Sequence, residues 1–177
     1  MGYTHYWTFG DSVNEKAYAL ALKECRKLIK ASPIPLFNWD NEGKPTLRNG
    51  FNFNGGCENL RMEVEPNRSD WFCKTAELPY DIVVVACLCV LEDRLGSEFR
   101  AHSDGDPHEW ESGKDFAAKV LKRDIKIPQD VIDQVGMYGW AARMYRKEHP
   151  EYDYTPLDMS HPNHKNETVP AYAKESA

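Results

Sequence analysis

The 177-residue chain predicts an α+β fold, a small mixed or antiparallel sheet covered mainly on one face by two long helices, with extra C-terminal helices and an extended arm. Three observations carry this expectation. The run YTHYWTF, residues 3–9, is aromatic and β-branched, the composition of a strand. Two long helical stretches are separated by some fifty residues, one with apolar residues at helical spacing (Val13, Ala17, Leu20, Cys25, Leu28), the other almost wholly apolar. Between them lie short strand-and-turn pieces without a regular strand–helix beat, which disfavours a parallel α/β sheet.

Each element has a local reason. Period two along residues 3–9 puts Tyr3, His5, Trp7 and Phe9 on one face and Thr4, Tyr6 and Thr8 on the other. Gly10-Asp11 turns the chain, and Ser12 with Glu15 three residues later predicts a capping box for the first helix. Lys27 and Lys30 sit in its last turn, where the helix dipole favours cations, and Ser32-Pro33-Ile34-Pro35 ends it. Strand pieces near 36–39, 49–54 and 60–65 are divided by Asn41-Glu42-Gly43 and Gly55-Gly56. A strand over 71–75 leads to a helix over about 79–95, with Pro79 in its first turn and Gly96 past its end. Residues 98–102 predict another strand. Further helices are expected over 113–123 and from Pro128 to Glu148, the latter broken near 136–139. The domain is expected to span 1–149. Residues 150–177, with Pro150, Pro156, Pro162 and Pro170 and no periodicity, read as an extended or disordered arm.

Bulk properties narrow the function. The formal net charge is −6 and no basic stripe is visible, which disfavours duplex nucleic acid as a partner and leaves a small anion open. Five cysteines lack a framework spacing, the N-terminus lacks the regions of a signal peptide, and the longest apolar run, residues 82–91, is too short for a bilayer. The expectation is a reduced, cytoplasmic protein without membrane association.

Four constellations carry candidate chemistry. Lys74 and Thr75 end a strand just before a helix N-terminus at Tyr80, where free N–H groups favour an anion; Asp81 in the same turn is the competing occupant. The first strand, through Thr4, His5, Tyr6 and Trp7, offers flat rings to a base on whichever face is not core. Asn52 and Asn54 beside Gly55-Gly56 offer amides to a base edge or ribose, or else form an ordinary hairpin. His102, Asp104, Asp106 and His108 hold metal-ligand chemistry, although Asp-Gly-Asp-Pro is also a turn and the spacing fits no established metal motif. Cys73 beside Lys74 is a weaker nucleophile candidate. There is no P-loop and no serine- or cysteine-hydrolase signature, so no cofactor, metal or catalytic residue is assigned.

The opening MGYTHYW, with FCKTAELPYD and the later SDG, resembles a set of small proteins encoded by bacteriophages and prophages. The similarity covers scattered blocks of roughly the first 110 residues. It implies a phage accessory protein working in the host cytosol and supplies neither a reaction nor site residues. Three functions are therefore weighed. The leading one is non-catalytic capture of a small nucleotide-like or anionic ligand, with an anti-defence role. The others are a metal-dependent hydrolase or nucleotide-processing enzyme, and an interaction module that inhibits a host protein. The arm, with Tyr152, Tyr154 and Tyr172, is the expected route to a homo-oligomer.

Overall fold

Alternation along the opening strand decides the architecture. The computed structural model describes residues 3–38, 42–66, 71–134, 139–150 and 152. Strand β1 (Thr4–Phe9) is the middle of a three-stranded antiparallel sheet. Strand β4 (Phe72–Lys74) pairs on one side with Thr4 opposite Lys74 and Tyr6 opposite Phe72. Strand β5 (Phe99–Ser103) pairs on the other, with Tyr6 opposite His102 and Thr8 opposite Arg100. His5, Trp7, Phe9, Cys73, Phe99, Ala101 and Ser103 are buried on one face, while Tyr6, Thr8, Phe72, Lys74, Arg100 and His102 keep exposure on the other.

The central helix α2 (Asp81–Leu95) is buried without interruption from Val83 to Glu92, as a run with no polar stripe must be. It packs against both α1 (Glu15–Lys30) and α3 (Pro107–Leu121). Glu24 of α1 takes a two-pronged Arg94 guanidinium at 2.6 and 2.9 Å and Arg123 at 2.9 Å, joining α1, α2 and the segment after α3. A second sheet, the hairpin of β2 (Gly50–Phe53) and β3 (Leu60–Glu63), drives Phe51, Phe53, Leu60 and Met62 into the same core. The chain continues through α4 (Gln129–Ile132) and α5 (Gly139–Glu148). The fold is α+β, and among the described residues no helix is long and apolar enough to cross a membrane.

Several expected boundaries move. The first helix is capped by Asn14, whose side chain accepts from the Ala17 N–H at 3.0 Å, rather than by Ser12; Glu98 holds the Asn14 N–H at 2.8 Å and sets that entry point. Of the strand piece expected near 36–39, the described part forms only a single bridge, Phe37 with Asn54. Helix α3 begins six residues before the expected 113, because Asp106 and Glu109 form a reciprocal capping box. Gly113 sits inside that helix because a Cβ there would lie 2.4 Å from the Val85 side chain, so α2 and α3 approach closely at this point. Tyr152, inside the expected arm, is buried against Tyr145 and His149. Residues 151 and 153–177 of that arm, including Tyr154 and Tyr172, and its expected role in oligomers lie outside the described residues.

Candidate functional site

The sheet face that the described helices leave uncovered gathers polar and aromatic side chains from three strands. Tyr6 on the middle strand stacks against His102 of β5 at 5.1 Å between ring centroids and 15° between planes. Its other neighbour is Trp71, at 6.2 Å and 29°. Phe72 meets Trp71 edge-on at 5.1 Å. The rings thus form a ladder across the strands, His102–Tyr6–Trp71. Both faces of Tyr6 are taken by its neighbours, and the open aromatic end is Trp71, 52% exposed, with Phe72 at 44%. Cross-strand ring pairs of this kind also hold the sheet together.

The face is chemically one-sided. The residues that its strands turn outward are Thr4, Tyr6, Thr8, Phe72, Lys74, Arg100 and His102, and none is acidic, in a chain of net charge −6. Lys74 is half-buried, with no carboxylate in ion-pair range among the described residues. Arg100 at the opposite corner reaches Glu92 at 3.5 Å. Asp104, just beyond β5, spends one carboxylate oxygen on the Thr4 N–H at 3.0 Å.

Behind this face lies a buried polar chain that joins strands to helix. His5 Nε2 lies 2.6 Å from Asp81 Oδ1 and Nδ1 lies 2.9 Å from Ser103 Oγ. A carboxylate only accepts, so Nε2 donates to Asp81. Thr75 Oγ1 donates to Asp81 at 2.5 Å, and the Gly105 N–H donates to Ser103 at 2.9 Å. The order Ser–His–Asp has the composition of a hydrolytic triad, but its surroundings are those of a tie. Ser103 and His5 are buried, and the Asp104 N–H, the donor an oxyanion would need beside that serine, is spent on the Thr4 carbonyl at 3.0 Å. Burial and the charge of Asp81 push the neighbouring Tyr3 hydroxyl well above its usual range.

At the helix N-terminus expected to cradle an anion, the Asp81 carboxylate accepts from the Thr75 hydroxyl, and Thr75 is fully buried. Tyr80 is also buried, its hydroxyl 2.8 Å from the Glu58 carbonyl and accepting the Glu58 N–H at 3.1 Å. Its side chain, from Cβ into the ring, fills the space that a Cβ on Gly55 would need, which explains that glycine. His5 and Trp7, on the core face of β1, are likewise structural, and Thr4 is covered to 8% exposure. Cys73 is buried, and its thiol is pushed up by burial and by Glu58 and Asp81, the opposite of an activated nucleophile. Of the expected binding residues, Tyr6 and Lys74 remain on the open face.

Asn52 and Asn54 divide. Asn54 is buried, its oxygen accepting from the N–H groups of Gly55, Gly56 and Cys57 while its amide donates to Asn59 at 2.9 Å, so it builds the turn. Asn52 accepts from Asn59 at 3.0 Å and lines an open groove of about 840 Å³ on the hairpin, with Arg48 and Arg61. Arg61 is paired with Glu63 there. The groove shares no residue with the sheet face. The four expected metal-ligand candidates also part. His102 joins the ladder, Asp104 holds Thr4, Asp106 caps α3 and His108 meets the Tyr145 ring at 5.2 Å. Among the described residues no three metal-ligating side chains converge.

The residues missed by sequence reasoning are Trp71, Phe72, Arg100 and, as a ring rather than a ligand, His102. Alternation in Phe72-Cys73-Lys74 and Arg100-Ala101-His102 hinted at their common face, but only strand pairing sets them beside Tyr6. Comparison of the chain with protein-family models, curated proteins and solved structures finds no match.

Proposed function

We propose that the protein is a non-catalytic binding module that captures a nucleotide-like anionic ligand on the open face of its three-stranded sheet. The observation that carries the reading is the ring ladder ending in exposed Trp71, with Lys74 on the same face and no acidic residue among the outward strand positions. A base extends the ladder at the indole, and the ammonium takes the phosphate by a charge-assisted hydrogen bond. With the resemblance to phage-encoded proteins, the reading becomes an anti-defence accessory protein that sequesters a signalling nucleotide in the host cytosol. A second reading, inhibition of a host protein through the same face, draws on the exposure of Trp71 and Phe72, the residue types that anchor interfaces.

Isothermal titration against a panel of linear and cyclic nucleotides tests the first reading. Lys74→Ala is expected to weaken the best ligand by about 1.5–3 kcal/mol, roughly ten- to a hundredfold, with little change in melting temperature. A panel without a binder, combined with a stoichiometric protein co-purifying from host lysate that Trp71→Ala releases, would move the assignment to the second reading.

A further inference from the structure

The positions of the two cations on the open face set the size of the ligand. Lys74 stands opposite Thr4 and Arg100 opposite Thr8, on the two outer strands. Four residues along β1 are about 13 Å and two strand spacings about 10 Å, so the two backbone positions lie roughly 16 Å apart on a diagonal. The ladder of His102, Tyr6 and Trp71 lies on the same face. With the Arg100 guanidinium held toward Glu92 at the outer edge of β5, away from Lys74, one phosphate group does not bridge the two cations as they are placed. A single strand stacked at ~3.4 Å per nucleotide covers that diagonal in about five nucleotides, and in fewer when extended.

We infer that the face binds single-stranded nucleic acid, a run of about three to five nucleotides whose phosphates meet Lys74 and Arg100 and whose bases pack on the exposed edge and end of the ladder. The inference rests on the nucleotide-binding reading above and extends it from one nucleotide to a strand. Charge and shape favour it over duplex. The cations are few and local, the chain as a whole is acidic, and rings accept bases only when those are unstacked from a partner strand. Arg100 already touches Glu92 with one nitrogen at 3.5 Å, and its fork carries further N–H donors.

The test uses the full chain and fluorescence anisotropy with a labelled thymidine hexamer, with unlabelled uridine hexamer, thymidine monophosphate and a hexamer-length duplex as competitors. The hexamer is expected to bind at least tenfold more tightly than the monophosphate and to resist the duplex. Two phosphate contacts predict a slope of log K against log salt near about −1.4, which Lys74→Ala or Arg100→Ala halves while weakening binding about five- to twentyfold. Because Arg100 also faces Glu92, Arg100→Lys serves as the control that keeps the charge and restores the slope, and melting curves confirm that each variant is folded. Equal affinity for hexamer and monophosphate, with Arg100→Ala silent, overturns the strand and leaves the nucleotide site standing. Hexamer binding indifferent to both cations overturns the use of this face. Failure of every nucleotide to bind overturns both readings.

Discussion

Glu92 joins three elements through one carboxylate. Its two oxygens accept the Ala101 N–H at 2.8 Å and the Gln129 N–H at 2.9 Å, so the outer edge of β5 and the start of α4 are both held from α2. Burial, partly offset by those two N–H groups, pushes its pKa up to about 7 from an ordinary 4.5. A folded pKa above the unfolded one means that the contribution is fully present below about pH 4.5 and is lost as pH rises through about 7. The loss is on the order of 3 kcal/mol. Denaturant titrations of wild type and Glu92→Gln at a series of pH values check this. The variant cannot titrate and turns one amide donor toward a backbone N–H, so wild type leads at low pH and its lead shrinks between about pH 4.5 and pH 7. A constant gap across that window would show that the carboxylate is charged throughout. The same scale explains why so many expected ligand residues became structural. Thr75, Asn54 and Tyr80 carry the right groups, and a sequence does not reveal that Asp81, the 55–57 N–H groups and Glu58 already use them.

The elements are built from signals that the sequence carries, and one stretch carries two signals at once. Asp104-Gly105-Asp106-Pro107-His108-Glu109 contains both a metal-like cluster and a helix start, and the helix start is what the backbone uses. Asp106 caps two N–H groups at 2.8 and 3.3 Å while Glu109 returns to the Asp106 N–H at 2.8 Å. Gly113 concealed the continuity, since glycine inside a helix costs about 1 kcal/mol relative to alanine. Its presence is repaid by the close contact with Val85. Gly113→Ala is therefore expected to lower stability by about 1–2 kcal/mol despite the better helix propensity, because overpacking outweighs that gain. Combining it with Val85→Ala makes room for the new methyl, so the double variant should fall less than the sum of the single changes. Simple additivity in denaturant melts would mean that α2 and α3 separate without strain.

At the scale of the molecule, one apolar helix organises everything else. Helix α2 touches α1, α3 and β5, and Val84 within it has no exposed surface. Val84→Asp puts an unpaired charge where no donor waits, and a loss of about 3–5 kcal/mol is expected. A thermal melt within a degree or two of wild type would refute the placement of the core. The consequence for function is geometric. Helices fill one side of the β4–β1–β5 sheet, and the side left exposed among the described residues carries the rings and cations of the candidate site.

Local chemistry alone determined that this chain is α+β, that residues 3–9 are a two-faced strand and that the run after Tyr80 is the core helix. Those properties follow from side-chain period, turn residues and apolar content, all of which act between near neighbours. It also singled out Tyr6 and Lys74. Contacts across 66 to 98 residues of chain separation decided the rest: that Lys74 lies opposite Thr4, that His102 stacks on Tyr6, and that His5, Asp81 and Ser103 meet in the interior. Register fixes which side chains share a face, and register is set by the packing of distant segments rather than by any local preference.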